Sequence, residues 1–139
     1  MAHSHDDRGE PSELELQVLS VLWQHGPGGV RDVLAAMPDG KARAYTTILT
    51  VLQGLERKGL VRHEQRGRHY VYHPAASREG VLRPRLRRLV RHVFGGRPAE
   101  ALQEILGGLK VTPEDLAAMR RILVDHERQI RRPPKGDEE

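Results

Sequence analysis

Arg43-Ala-Tyr-Thr-Thr-Ile-Leu-Thr-Val-Leu-Gln-Gly-Leu-Glu-Arg-Lys-Gly-Leu-Val61, followed by Arg62-His-Glu-Gln-Arg-Gly-Arg-His-Tyr-Val-Tyr-His73, is the stretch whose reading decides the fold. Its first part reads as an amphipathic helix. Tyr45, Ile48, Leu52 and Leu55 fall at i, i+3, i+7 and i+10, which makes one buried stripe. The other face carries Arg43, Thr46, Thr47, Thr50, Gln53 and Arg57. Gly59 follows Arg57 and Lys58 where a helix wants a left-handed C-terminal residue. Two short strands come next around a basic turn at Arg66-Gly67-Arg68. A polar-faced helix and then a basic hairpin is the pattern of a winged helix-turn-helix: the helix face can meet base edges in the major groove while the hairpin reaches the backbone or minor groove beside it.

Working outward, Ser12-x-x-Glu15 is a capping box before an apolar run, so a first helix is expected with Leu16, Leu19, Leu22 and Trp23 inward, stopping at Gly26-Pro27. Gly28-Gly29 opens a short second helix with Val30, Val33, Leu34 and Met37 at core spacing. Pro38-Asp39-Gly40 is a turn, and the third helix is expected from near Ala42 to Lys58. In the hairpin, Tyr70 and Tyr72 share one strand face and His69, Val71 and His73 the other. Beyond Pro74, Ser77 is a natural N-cap for a fourth helix running to Phe94. Pro84 sits deep inside it, so a kink or a late start is expected there. Pro98 to Leu106 forms a short fifth helix. Thr112-Pro113-Glu114-Asp115 starts a sixth with a cap, an N1 proline and first-turn acids. The expected class is mainly α (α+β): a winged helix over residues 12–74 and a helical region over 77–130, between disordered segments 1–11 and 131–139. The three C-terminal helices are short, each with one narrow apolar face. A second copy of the chain would cover Leu86, Leu89, Val90, Val93, Leu102, Leu106, Leu116, Met119, Ile122 and Leu123, giving a two-fold dimer.

Composition narrows the partner. The 139 residues carry a net charge of +4. Residues 31–72 hold eight Lys/Arg against four Asp/Glu, and residues 73–98 seven against one, so the rest of the chain is net acidic. Positive charge concentrated on the helix–hairpin and the segment after it suits duplex DNA, an ordinary solvated basic face being the bland alternative. Aromatics at 4% argue against stacking on single strands. The absence of cysteine removes disulfides, thiolate metal sites and a cysteine nucleophile, and suits a cytoplasmic setting. No run approaches the ~20 apolar residues that cross a bilayer, and no signal peptide is expected, so membrane insertion is not.

With these residues in view the chain resembles the penicillinase-repressor (BlaI/MecI) family of bacterial transcriptional repressors. The resemblance runs from about Leu14 to Ile130. It is carried by Leu14-Glu-Leu-Gln-Val-Leu-Ser-Val-Leu-Trp23, Ala44-Tyr-Thr-Thr-Ile-Leu-Thr-Val-Leu52, Leu55-Glu-Arg-Lys-Gly-Leu-Val61, Arg66-Gly-Arg-His-Tyr-Val-Tyr-His-Pro74 and Phe94-Gly-Gly96, in that order and spacing. It implies an N-terminal winged helix, a C-terminal helical dimerisation region, and dimeric binding to operators with TACA/TGTA-type dyads on the bacterial nucleoid. It also implies repression relieved when a membrane-bound sensor protease signals a β-lactam antibiotic. The sequence departs from the family in two places. Where cleaved members carry an Asn-Phe bond in the fifth helix, this chain carries Glu104-Ile105 as the corresponding pair. The cysteine cluster of a copper-responsive branch has no counterpart here.

Candidate DNA contacts follow from residue chemistry. Arginine can bridge guanine O6 and N7, and threonine can bond a base edge or phosphate and touch a thymine methyl, which nominates Arg43, Thr46, Thr47 and Thr50. Tyr45 is ambiguous: its stripe position favours the core, yet near the helix start its hydroxyl can reach a phosphate. Arg66, Arg68 and His69 belong to the wing, with Lys41 and Arg62 as weaker phosphate candidates. The fourth-helix arginines fit flanking DNA or pairing with Glu100, Glu104 and Glu114 across a dimer. His69 and His73 would lie ~13 Å apart along a strand, too far to share one ion. No metal-ligand spacing, P-loop, dinucleotide fingerprint or Gly-x-Ser-x-Gly occurs, so neither metal, cofactor nor enzyme chemistry is expected. The rival readings are a ligand-sensing winged-helix regulator of another family and a protein-interaction module.

Overall fold

Ser12 and Glu15 cap each other at the start of α1 (Glu13–His25): the Glu15 backbone N–H donates to Ser12 Oγ at 3.2 Å, and the Ser12 N–H donates to Glu15 Oε1 at 2.9 Å. In the computed structural model, which describes residues 10–132, seven further elements follow. They are α2 (Val30–Ala35), α3 (Tyr45–Arg57), β1 (Val61–Arg66), β2 (His69–Pro74), α4 (Arg78–Val93), α5 (Pro98–Gly108) and α6 (Pro113–Arg131). The chain divides into two compact units, one ending at Arg88 and the other beginning at Leu89. Most of the expected terminal segments, residues 1–9 and 133–139, lie outside the described residues. Glu10 and Pro11 do not: Pro11 is buried and its carbonyl accepts Arg85 Nη1 at 2.5 Å, and Glu10 pairs with Arg88.

The first unit has one core. Val18, Leu19, Val21 and Leu22 of α1 meet Val30, Val33 and Met37, then Ile48, Leu52 and Leu55 of α3, with Val61 and Tyr72 closing it from the hairpin. The α1 face is rotated from the expected one. Val18 and Val21 are buried, while Leu16 and Trp23 are half-exposed. Contacts with α2, α3 and β2 together ask for a broad buried face rather than a stripe. The indole of Trp23 stays at the edge, where its N–H donates to the Ala76 carbonyl at 2.9 Å.

α3 also starts later than expected, at Tyr45 instead of near Ala42. Asp39 accepts the Lys41 backbone N–H at 3.1 Å and grips the Arg43 guanidinium, holding residues 39–43 in a turn that competes with helix. The end is as the sequence indicates. Gly59 has φ +78°, its N–H bonds to the Glu56 carbonyl, and the Leu60 N–H reaches back to Leu55, which is a Schellman closure. The strands pair antiparallel from Val61↔Pro74 to Arg66↔His69. Their two-residue turn puts Gly67 at φ +64° in its first position, as a type II′ hairpin requires. Gly28 pairs with Tyr72 through backbone bonds of 3.1 and 2.8 Å, so the root of the hairpin is tied to the chain before α2.

Three helices followed by an antiparallel hairpin make this unit a winged helix-turn-helix. In α4 the hydroxyl of Ser77 accepts the Gly80 N–H at 2.9 Å, and the helix begins at Arg78 and runs through Pro84, so the late start does not occur. α6 is capped by the reciprocal Thr112–Asp115 pair at 3.0 Å each way, with Pro113 at its first position. Among the described residues, none in α4, α5 or α6 is fully buried.

Candidate nucleic-acid interface

Opposite the buried line Ile48–Leu52–Leu55, α3 presents Thr46, Thr50, Gln53 and Arg57 at i, i+4, i+7 and i+11, all exposed and on one line of the helix. Thr47 is exposed on one flank of that line and Tyr45 on the other. This row is a solvated surface of donors and acceptors on a rigid element, the width of one helix. Gln53, whose amide can pair bidentately with adenine, sits centrally on it; the sequence places it on this face, and the i+7 spacing from Thr46 is the signal that raises it to a candidate.

Arg43 is not on the helix. It stands in the turn before α3, its guanidinium held by both Asp39 carboxylate oxygens at 2.9 and 2.7 Å. The side chain is 16% exposed. The Arg43 hydrogen bond, followed by the Lys41 backbone N–H, drives the Asp39 carboxyl well below the usual carboxylate range, and the pairing raises Arg43 in turn. Arg43 is therefore a cation fixed in direction, with Lys41 exposed beside it.

Tyr45 leaves the core altogether. It is 44% exposed, and the Arg31 guanidinium lies over its ring at 5.3 Å, a cation–π contact. The buried stripe of α3 therefore begins at Ile48 rather than at Tyr45. Arg31 itself has no sequence signal, because nothing in the α2 pattern distinguishes it from a solvated residue.

The hairpin divides along its length. Tyr72 at the root is 2% exposed and Tyr70 toward the tip is 47% exposed, although they share a strand face: the core ends between them. Arg66, Arg68 and His69 are exposed at the tip. They are not equivalent. Arg66 is paired with Glu64 at 2.6 Å, which lowers the Glu64 pKa. Lower on the wing, His63 Nδ1 meets the Glu56 carboxylate at 2.8 Å and so links β1 to α3, and its ring packs edge-on against Tyr70 at 4.7 Å. His73 faces Glu64 at 3.5 Å. Among the described residues, no three His, Asp or Glu side chains come together as a metal cage.

In the second unit and the helix leading to it, Leu86, Leu89, Val93, Leu106, Leu116, Ile122 and Leu123 are exposed, and Val90, Leu102 and Met119 are half-buried. Glu104 and Ile105 lie exposed within α5. The fourth-helix arginines split: Arg85 and Arg88 bind Pro11 and Glu10, while Arg83, Arg87 and Arg91 are exposed along one side. Of the acids expected to pair across a dimer, Glu100 is held locally by Arg97 at 2.7 Å. No described helix is long and apolar enough to cross a membrane.

Comparison with known proteins matches residues 11–125 to the sequence model of a family described as penicillinase repressor. The penicillinase repressor of Bacillus licheniformis is 24% identical over 115 residues, 83% of this chain and 90% of that protein. The transcriptional regulator BlaI of Mycobacterium tuberculosis (strain ATCC 25618 / H37Rv) is 37% identical over 71 residues, 50% of this chain and 51% of that protein. The solution structure of Bacillus licheniformis BlaI in monomeric form, in complex with the blaP half-operator, has a TM-score of 0.43 at 30% identity, over 50% of this chain and 85% of that one.

Proposed function

Since this chain belongs to the penicillinase repressor family, a family of DNA-binding transcriptional repressors and not of enzymes, we propose that it represses by binding operator dyads as a homodimer. The observation that carries the reading is the exposed α3 row of Thr46, Thr50, Gln53 and Arg57, opposite a fully buried stripe. A helix 10–12 Å wide fits a major groove about 12 Å wide, and this row then faces the base edges. Thr47 and Arg43 flank it, Tyr45 and Lys41 lie at its start, and Arg66, Arg68 and His69 follow the strand beside the groove. Affinity comes mainly from phosphate neutralisation and sequence choice from α3.

The dimer is supported by the second unit, which has no fully buried residue among those described yet exposes Leu89, Val93, Leu106, Leu116, Ile122 and Leu123. A two-fold copy covers such a face and sets two α3 helices on two half-sites. Operators of the TACA/TGTA dyad type, action on the bacterial nucleoid in the cytoplasm and release by a β-lactam-type signal through a membrane-bound sensor protease complete the reading. Glu104-Ile105 is the pair to watch for a cut on α5. Sedimentation of the full chain, alone and with a dyad duplex, tests the assembly. A dimer that places two chains on a full dyad supports it, and dissociation by Leu123→Glu locates its interface. A chain that stays monomeric both free and on the dyad contradicts it.

A further inference from the structure

Residues 10–12 tie three helices together. Ser12 caps α1. The Glu10 carbonyl accepts Lys58 Nζ at 3.2 Å at the end of α3, and the Glu10 carboxylate pairs with Arg88 of α4. Arg85 Nη1, also of α4, donates to the Pro11 carbonyl at 2.5 Å. We infer that this segment is a clasp that fixes the direction in which α4 leaves the winged helix, and that Arg85 and Arg88 are positioning residues that decide which half-site spacing the chain accepts. The inference rests on the proposed dimeric binding to dyads and adds to it what selects their spacing.

The clasp is anchored on the reading helix itself. Lys58 follows the last residue of α3, and its side chain is only 4% exposed. Its ammonium donates to Glu15 Oε1 at 2.7 Å as well as to the Glu10 carbonyl, and the same Glu15 oxygen accepts the Ser12 N–H. Pro11 is buried beside them. The root of α4 has its own fastenings: the Trp23 indole donates to the Ala76 carbonyl, the Ala75 N–H donates to the Leu60 carbonyl, and Val81 packs on the core. A helix held only at its root can pivot. Arg85 and Arg88 hold it further along, about 10 and 15 Å beyond Arg78 at the helical rise. A cleft of about 430 Å³, lined among others by Pro11, Leu60, Val81 and Pro84, lies beside this stretch, so packing does not fill it and the polar contacts carry the hold. All of these residues belong to the unit that ends at Arg88. On the duplex, each base pair added between half-sites moves one half-site by about 3.4 Å and turns it by about 35°. A fixed exit of α4 resists that displacement, and a loose one follows it. The discrimination is limited by the contacts that must yield, on the order of tenfold for one hydrogen bond to a charged group.

Dyad duplexes that differ only by one base pair more or fewer at the centre, with a duplex carrying a single half-site, test this by anisotropy on the full chain. The unaltered chain should favour one spacing over its neighbours by about tenfold. Arg85→Ala should erase most of that preference. It should leave single half-site affinity and the slope of log K against log salt at the parent values, because Arg85 meets a carbonyl and not a phosphate. Arg85→Lys, which keeps a charged donor, should retain the preference. Glu10→Gln weakens the Arg88 pair while shifting net charge in the opposite direction, so a loss of preference in both variants separates positioning from charge. Its side chain is 53% exposed, so it gives the same readout if Arg85→Ala fails to fold. The inference is overturned if both variants keep the parent's spacing preference, if they weaken the single half-site as much as the dyad, or if Arg85→Ala lowers the salt slope. It is overturned equally if the unaltered chain binds all spacings alike. In each of those cases dyad binding and the proposed function stand. Failure of the unaltered chain to prefer any dyad over a scrambled duplex would overturn both.

Discussion

The two arginines at the wing tip look interchangeable in sequence, yet they should not behave alike. Arg66 is paired with Glu64 at 2.6 Å, so its charge is largely offset before DNA arrives, while Arg68 is exposed in the turn. Each phosphate neutralised adds about 0.9 to the slope of log K against log salt. Arg68→Ala should thus lower the slope by about 0.9 per chain and about 1.8 for a dimer on a dyad. Between 50 and 200 mM salt that difference amounts to roughly a tenfold change in relative affinity. Arg66→Ala should lower the slope clearly less, because the paired Arg66 neutralises Glu64 rather than a phosphate. Glu64→Gln should have the opposite sign, steepening the slope and tightening binding at low salt by freeing Arg66. Acid should not mimic Glu64→Gln near neutrality. The Glu64 pKa is lowered in the fold, so its pairing is present above the ordinary value of 4.5 and is lost only as pH falls through the depressed one. Fluorescence anisotropy with one labelled duplex, across a salt series, measures all three variants. Equal effects of Arg66→Ala and Arg68→Ala together with a flat response to Glu64→Gln would refute the reasoning.

Other expectations are as specific. Leu52→Ala removes a fully buried side chain from the centre of α3 and should cost about 2–5 kcal/mol of stability, read by the fluorescence of Trp23, the only tryptophan, during denaturant unfolding. Arg43→Ala should weaken specific sites by roughly tenfold to a hundredfold while sparing nonspecific binding, and Asp39→Asn should reproduce part of that loss because the fork that aims the guanidinium is gone. An unchanged ratio of specific to nonspecific binding in both variants removes Arg43 from the reading surface. In carboxyl-detected NMR, Asp39 should titrate well below its ordinary value of 3.8, so its pairing survives mild acid and fails only below the usual carboxylate range; titration at the ordinary value would mean the fork is absent in solution. Thr112→Ala should destabilise the start of α6 by about 1 kcal/mol, visible as earlier loss of helical signal, because the Asp115 N–H loses its acceptor.

Much of this was legible because the decisive features are local. The α3 stripe, the Gly59 stop, the basic hairpin turn, the Ser12 and Ser77 caps and the Thr112 start are written in consecutive residues, and the structure has each of them. What was misplaced depends on partners distant in sequence or on side-chain geometry. Nothing in Ala42-Arg43-Ala44 forbids helix; it is the Asp39 fork that holds those residues out of it. Tyr45 fits the stripe by spacing but lies past the last layer of core, and only the position of Arg31 above it shows why it is stable there. Val18 and Val21 were hidden by reading α1 as a one-sided helix when three elements pack against it. The pairing of Gly28 with Tyr72 is a single bridge with no alternation to announce it. In the interface, Arg68 was visible as a charge but its difference from Arg66 was not, because that difference is one ion pair along the strand.

The measurement that bears most directly on the central claim is anisotropy with two labelled duplexes of equal length, one carrying a TACA/TGTA dyad and one scrambled, titrated with the full chain at several salt concentrations. The account predicts at least ~10³-fold preference for the dyad at moderate salt. Saturation should come at two chains per duplex, with a steep salt dependence for both duplexes. Equal, weak binding to the two sequences, or saturation by a single chain, would contradict it.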